Sequence, residues 1–149
     1  LQRLGTPCLI HQPRYNMFDR WIEPELLGIL GEEGVGCIVF SPLAQGMLTN
    51  KYLEGIPQDS RAAMPSIFLN PEDLTDKKMQ QVRQLNAIAL EHGLSLAQLA
   101  INWTLRNPVV TSALIGASRP SQIEEIVAGT QKLELCKEEL EQIEAILAG

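Results

Sequence analysis

The sequence predicts an α/β protein built from short parallel strands and amphipathic helices. Three apolar runs, at residues 8–10, 37–40 and 113–115, are continuous rather than alternating. Continuous apolarity over so few residues is typical of parallel strands that are buried on both faces. Helical segments separate and follow these runs, and this order is that of βα units joined by right-handed crossovers.

The first two helices are predicted from their apolar stripes. Residues 23–33 place Leu26, Leu27 and Leu30 on one side and end before Gly34, which favours a helix terminus. The second helix is predicted over residues 75–92 and closes at Gly93. Its apolar stripe consists of Met79, Val82, Leu85 and Ile88.

The third helix, predicted over residues 96–106, has the most specific start signal. Ser95 and Gln98 have the spacing of a capping box, in which each side chain bonds the backbone of the other residue. The helix presents an apolar face at helical spacing, formed by Leu96, Leu99, Ala100 and Trp103. A further helix is predicted to begin at Pro120, where a missing N–H costs nothing, and a last one follows Cys136.

Length and composition indicate one globular domain, residues 1–149. The chain is 45% hydrophobic and 20% charged, which suffices for a core. No apolar run approaches the roughly 20 residues of a membrane span. A net charge of −6, without a basic stripe interleaved with aromatics, argues against nucleic-acid binding. The odd number of cysteines, three, does not suggest a disulfide framework and favours the cytoplasm.

The chain is expected to be a portion of a longer polypeptide, because it opens at Leu1 without an initiator methionine. Three strands cannot close a barrel, which needs eight strands and about 250 residues. The edges of the predicted sheet are therefore exposed unless something pairs with them. We expect a homo-oligomer or pairing through these exposed sheet edges.

The residues that follow each strand are the candidates for function, since ligands of βα proteins meet the carboxyl ends of the strands. After the third strand, Gly116 allows close backbone approach, Ser118 offers a hydroxyl and Arg119 a forked cation. A helix then begins at Pro120, and its free N–H groups favour anions. These residues predict either a phosphate site or an ordinary capped turn with an exposed arginine.

Two further candidates end the first and second strands. Phe40 could stack on a flat ring such as nicotinamide, or could be core. Ser41 and the backbone after it could bind phosphates. Gln12 has an amide that could bind a carboxamide, or could brace its own loop.

Other chemistries lack their signatures. His11 and His92 have no metal-binding spacing with the cysteines. No nucleophile elbow, P-loop or GxGxxG motif is present. The carboxylates at the start and end of the first helix are expected to be solvated surface; these are Asp19, Glu23, Glu32 and Glu33.

Taken together, four motifs resemble the aldo-keto reductases in order and spacing. They are His11-Gln12-Pro13-Arg14-Tyr15-Asn16, the segment from Phe40-Ser41-Pro42-Leu43-Ala44-Gln45-Gly46 to Lys51-Tyr52, Gly55-Ile56-Pro57 with Ser60-Arg61, and Ile115-Gly116-Ala117-Ser118-Arg119 with Gln122 and Glu125. The resemblance covers nearly the whole chain. It implies the C-terminal portion of a (β/α)8 TIM barrel, about strands six to eight with the helices that follow, and the absence of the N-terminal barrel half.

The resemblance also implies a binding surface for NADPH or NADP. Gln12 would bond the nicotinamide carboxamide, and Phe40 would lie against its ring. The pyrophosphate would be wrapped by Ser41, Pro42, Leu43, Ala44, Gln45 and Gly46, with Lys51 adding charge. Arg61 would close over the cofactor near the adenine. Gly116, Ser118, Arg119 and Gln122 would hold the 2′-phosphate, and Glu125 would reach the adenine.

For activity, the resemblance implies NADPH-dependent reduction of a small-molecule carbonyl compound by the parent enzyme. The catalytic Asp, Tyr, Lys and His of the family lie on earlier strands, so no catalytic residue is predicted in this chain. Two alternatives remain open. The parent could be an NADPH-sensing regulatory subunit similar to the channel β subunits, or this chain could be an inactive fragment that self-associates.

Overall fold

The computed structural model describes residues 2–58, 60–64, 69–130 and 135–149, apart from the side chains of Gln2 and Arg61. Three strands and five α-helices alternate within this part of the chain. In order they are β1 (Ile10–His11), α1 (Leu26–Glu32), β2 (Gly36–Phe40), α2 (Asp76–Glu91), α3 (Leu96–Leu105), β3 (Val110–Leu114), α4 (Pro120–Thr130) and α5 (Lys137–Ala148).

The sheet is parallel and has the order β1-β2-β3, as the βα pattern predicts. Ile10 aligns with Gly36, and Phe40 aligns with Leu114. Backbone pairing continues past β1, because the Phe40 N–H donates to the Pro13 carbonyl at 3.0 Å. The carboxyl ends of all three strands therefore meet at one edge, with β2 in the middle.

The expectation that the strands are buried on both faces is wrong for this sheet. Cys37 and Val39 of β2 are fully buried, whereas Phe40 is 36% exposed and Leu114 of β3 is 53% exposed. Alternation of this kind arises when helices cover one face of a sheet, because successive side chains point to opposite faces. The apolar runs of the sequence also misplace the strands, since β1 begins at Ile10 and β3 begins at Val110.

The five predicted helices are all present. The capping box of α3 has the predicted bonds: the Ser95 Oγ accepts from the Gln98 N–H at 3.3 Å, and the Gln98 Oε1 accepts from the Ser95 N–H at 2.9 Å. Helix α1 starts at Leu26 rather than residue 23, because residues 21–25 form turns and no side chain caps the helix at Glu25. No helix within the described ranges is long and apolar enough to span a bilayer.

One carboxylate expected at the solvated surface, Glu23, instead lies at the centre of an ionic network. Its Oε1 accepts from the Tyr15 hydroxyl at 2.6 Å and from Arg106 at 2.9 Å, and its Oε2 accepts from Arg20 at 2.7 Å. The Trp103 ring is fully buried, with the Arg106 guanidinium 3.6 Å from its centroid and that of Arg20 at 5.3 Å. Cation–π attraction and ion pairing therefore fix the same two arginines.

Asp19 also departs from the expected solvated surface, because its carboxylate pairs with Arg14. Glu32 and Glu33 are exposed, as predicted.

The network shifts the titration of its members. Burial tends to raise the pKa of Glu23, but hydrogen bonds from Arg20, Tyr15 and Arg106 outweigh it and hold the pKa below the ordinary value of 4.5. Burial, helped by the hydrogen bond to Glu23, raises the pKa of the Tyr15 phenol. At neutral pH the network therefore contains an ionised Glu23 and a neutral Tyr15.

Stability should depend on pH through Glu23. A carboxyl whose pKa is lower in the folded than in the unfolded state stabilises the fold fully above its unfolded pKa, and that contribution is lost as pH falls through the folded pKa. The destabilisation caused by Glu23→Gln should therefore be full at pH 7 and shrink below about 4.5, the ordinary value. Urea unfolding of both proteins over this range measures the difference. A difference independent of pH would show that Glu23 does not titrate in this way.

Candidate functional site

The structure brings three of the predicted segments to one edge of the sheet. Gln12 directly follows β1, residues 41–46 follow β2, and residues 116–122 lead from β3 into α4. Because β2 lies between its two neighbours, the segment that follows it lies between the other two. Lys51 and Arg61 lie further along the connection after β2, in the 3-10 turns Asn50–Tyr52 and Arg61–Ala63. The side chain of Arg61 lies outside the described part.

Strained backbone is concentrated in the segment after β2. Ser41, Ala44 and Gln45 have φ of 55°, 46° and 60°, and no other non-glycine residue in the described ranges has a positive φ. Such a conformation costs about 1–3 kcal/mol per residue and persists only where surrounding contacts enforce it, most often at functional sites. Here the Gln45 Nε2 donates to the Ser41 Oγ at 2.7 Å. The turn is thus held in an unusual shape by its own side chains.

The two apolar residues of this segment complete its anchoring. Pro42 is buried and Leu43 is half-buried, and the Leu43 carbonyl accepts from the N–H groups of Gly46 at 2.9 Å and Leu48 at 3.1 Å. Gly46 itself has φ of 100°, which favours glycine.

Phe40 and Gln12 are accessible at the same edge. Phe40, at the end of the central strand, is 36% exposed, so it does not belong to the buried core, one of its two predicted alternatives. Gln12 is exposed. An aromatic face and an amide are therefore both available to a ligand above β1 and β2.

The turn after β3 gathers hydrogen-bond donors at the start of α4. The Gln122 Oε1 accepts from the Ser118 N–H at 2.8 Å, from the Ser118 Oγ at 3.2 Å and from the Arg119 N–H at 3.1 Å. This is the capped turn that one of the two sequence alternatives predicts. The cap is a neutral oxygen on an exposed side chain, in a position that an oxygen of a bound anion could take.

Arg119 supplies a charge beside these donors. Its side chain is exposed, and no carboxylate of the described residues lies within ion-pair distance. Glu125 lies one turn further along α4, also exposed, and its carbonyl accepts from the Gln98 Nε2 at 2.6 Å, which ties α4 to α3. The start of α4 therefore presents a cation, N–H groups and the positive end of a helix dipole to the same space.

A cleft of about 380 Å³ opens beside residues 41–45. It is lined in part by Arg14, Asn16, Asp19, Ser41 and Lys78. None of Arg14, Asn16 and Lys78 was predicted as a site residue. Asn16 belongs to the first motif, but nothing in the sequence shows that its side chain reaches the strand end 25 positions later.

Neither tyrosine of the chain is available at this edge as a proton donor. Tyr15 is fully buried and bonded to Glu23 and Arg106, and Tyr52 is 2% exposed. The arrangement offers binding groups for a flat ring and for anionic oxygens, but no accessible phenol.

A parallel βα sheet with ligand-type groups along its carboxyl edge is the framework of a (β/α)8 enzyme, and the chain belongs to the Aldo/keto reductase family, whose sequence profile matches residues 1–148. The resemblance seen in the motifs is thereby confirmed. Members of this family fold as (β/α)8 barrels.

Individual relatives refine the family assignment. The chain is 48% identical over 152 residues to the L-glyceraldehyde 3-phosphate reductase of Escherichia coli (strain K12), covering 99% of this chain and 44% of that protein. It is 46% identical over 120 residues to a probable voltage-gated potassium channel subunit beta of Arabidopsis thaliana, covering 78% of this chain and 37% of that protein. The chain thus spans less than half the length of these relatives.

Solved structures show the same relationship. A glycerol dehydrogenase from Gluconobacter oxydans superimposes with a TM-score of 0.80 at 27% identity, covering 98% of this chain and 44% of that one. An aldo-keto reductase from Bacillus halodurans has the same fold, with a TM-score of 0.68 at 22% identity over 93% of this chain and 42% of that one.

Proposed function

We propose that this chain forms much of the NADPH-binding surface of a carbonyl reductase, as the part of a (β/α)8 barrel that contains strands six to eight. The observation that carries the proposal is the set of donors at the start of α4. Ser118 and Arg119 direct three hydrogen bonds to one acceptor oxygen, and the guanidinium of Arg119 stands unpaired by any described carboxylate beside them. A phosphate monoester requires such a combination.

In this proposal each segment holds one part of the cofactor. The 2′-phosphate lies on Gly116, Ser118, Arg119 and Gln122, and Glu125 faces the adenine. The pyrophosphate lies on residues 41–46, with Lys51 adding charge and Arg61 closing over the adenine end. Phe40 supports the nicotinamide ring, and Gln12 bonds its carboxamide.

The bound cofactor supplies a hydride to a carbonyl carbon. The residues of this chain bind and orient it: the exposed ring of Phe40 fixes the plane of the nicotinamide, and Gln12 fixes its rotation through an amide pair. Both tyrosines of the chain are buried. The proton that the developing alkoxide needs therefore comes from a group outside this chain.

A second function is supported by the channel β subunits among the relatives. The same nucleotide-binding edge could serve as a sensor, in which binding rather than turnover is the output. The two functions differ in chemistry beyond the nucleotide site.

Steady-state NADPH oxidation by the full-length protein, with methylglyoxal or glyceraldehyde as substrate, tests the proposal. Turnover is expected for a reductase. Binding of NADPH without turnover would favour the sensor, and failure to bind NADPH at all would contradict the proposed site.

We also propose that the flanks of the sheet contact further protein in the cytoplasm. Leu9 and Ile10 beside β1 are 71% and 57% exposed, and on the other flank Leu114 and Val127 are 53% and 54% exposed. Unpaired apolar edges of this kind associate, either with the remainder of the parent barrel or with another copy. Light scattering by this chain alone that showed a stable monomer, with full hydrogen-exchange protection of the sheet, would contradict this pairing.

A further inference from the structure

Asn16 is a buried amide whose donor and acceptor are both used. It is 3% exposed. Its Nδ2 donates to the Ser41 carbonyl at 3.0 Å, and its Oδ1 accepts from the Phe18 N–H at 3.0 Å. Its backbone exchanges hydrogen bonds with Asp19 at 3.1 and 3.0 Å. The side chain is thus held by its own loop and reaches across to the end of β2.

The group that Asn16 binds is the carbonyl at the start of the strained turn. The Ser41 carbonyl also accepts from the Ala44 N–H at 3.0 Å, so the same oxygen closes the turn from within and anchors it from outside. Ser41 has a φ of 55°, which an L-residue rarely adopts. Strained conformations of this kind require surrounding contacts to determine them, and the bond from Asn16 is a contact of that kind, made from a separate segment.

We propose that Asn16 is a positioning residue for residues 41–46. It does not touch the cofactor, and it acts by fixing the backbone on which the pyrophosphate lies. This inference rests on the proposed function. It predicts that loss of the Asn16 donor weakens binding of the pyrophosphate-containing cofactor and leaves the 2′-phosphate subsite on α4 unaffected.

Asn16→Asp is the sharpest variant in the full-length protein. An ionised aspartate keeps the shape and the acceptor for the Phe18 N–H, but it presents an oxygen to the Ser41 carbonyl where a donor is required. We expect NADPH affinity at pH 7.5 to fall about tenfold or more. Affinity for adenosine 2′-monophosphate, which lacks the pyrophosphate, should change less than about twofold because it reaches only α4.

A double-mutant cycle separates positioning from packing. Glycine adopts a positive φ at little cost, so Ser41→Gly removes much of the need for an external anchor. Asn16→Ala should therefore reduce NADPH affinity several-fold less in the Ser41→Gly background than in the wild type. Circular dichroism and urea midpoints show whether each variant is folded, and the cycle replaces Asn16→Asp if that variant does not fold.

Three results would overturn the inference: unchanged NADPH affinity in Asn16→Asp, equal losses for NADPH and adenosine 2′-monophosphate, or equal effects of Asn16→Ala in both backgrounds. Failure of the proposed function has a different signature. In that case, Arg119→Ala leaves the affinity for adenosine 2′-monophosphate unchanged, whatever the Asn16 variants do.

Discussion

Replacing Arg119 with alanine in the full-length protein should weaken NADPH binding about 10- to 100-fold and change NADH binding less than about twofold. Hydrogen bonds to a charged group contribute about 1.5–3 kcal/mol each, and 1.4 kcal/mol corresponds to a factor of ten in affinity. Only NADPH carries the 2′-phosphate that the Arg119 guanidinium would bind. Fluorescence titration with each cofactor measures both affinities.

Two variants serve as controls for Arg119→Ala. Arg83 of α2 is also an exposed arginine, so Arg83→Ala makes the same change in net charge away from the site and should leave both affinities unchanged. Arg119→Lys keeps the charge but loses the planar fork, and it should give an intermediate loss for NADPH. Equal losses for NADPH and NADH in Arg119→Ala would remove Arg119 from the 2′-phosphate.

Glu23→Gln should destabilise the folded protein by roughly 3 kcal/mol at pH 7. Removing the carboxylate leaves the guanidinium groups of Arg20 and Arg106 close to Trp103 with no charge between them, and breaking a largely desolvated pair by removing one partner is strongly destabilising. Urea unfolding of the full-length protein gives the free energy of unfolding.

The matched control is Glu144→Gln. Glu144 also pairs with Arg20, at 2.5 Å, but its side chain is 45% exposed. Exposed pairs contribute about 0–1 kcal/mol, so this variant should lose less than about 1 kcal/mol. Similar losses for the two variants would mean that the network has no central carboxylate.

Local signals in the sequence predicted the helices and the turn after β3. The capping box at Ser95 and Gln98 involves residues three positions apart, and the start of α4 at Pro120 is set by proline itself. The candidate anion site at Gly116, Ser118 and Arg119 is likewise one continuous stretch. Features of this kind depend on neighbours in the chain, and sequence patterns report them well.

Features that depend on distant partners could not be predicted in this way. The bond from Arg106 to Glu23 joins residues 83 positions apart, and the pairing of Arg20 with Glu144 spans 124 positions. An isolated carboxylate in a polar stretch has the pattern of solvated surface, which is why the role of Glu23 was predicted wrongly. The same holds for Asn16, whose partner at Ser41 is known only once β1 and β2 are paired.

The backbone of residues 41–46 escaped prediction for another reason. Positive φ is expected at glycine, and the sequence places glycine only at position 46, whereas Ser41, Ala44 and Gln45 adopt it as well. The motif indicated where a ligand could bind but not the strained shape that surrounds it. The family resemblance placed the segment correctly at the carboxyl edge of the sheet.

A crystal structure of the full-length protein with NADP bound tests the central claim most directly. The account predicts the 2′-phosphate within hydrogen-bond distance of the Ser118 N–H and the Arg119 guanidinium, with the Gln122 oxygen displaced from the donors that it caps. It also predicts the pyrophosphate against residues 41–46. A cofactor whose phosphates contact neither segment would contradict it.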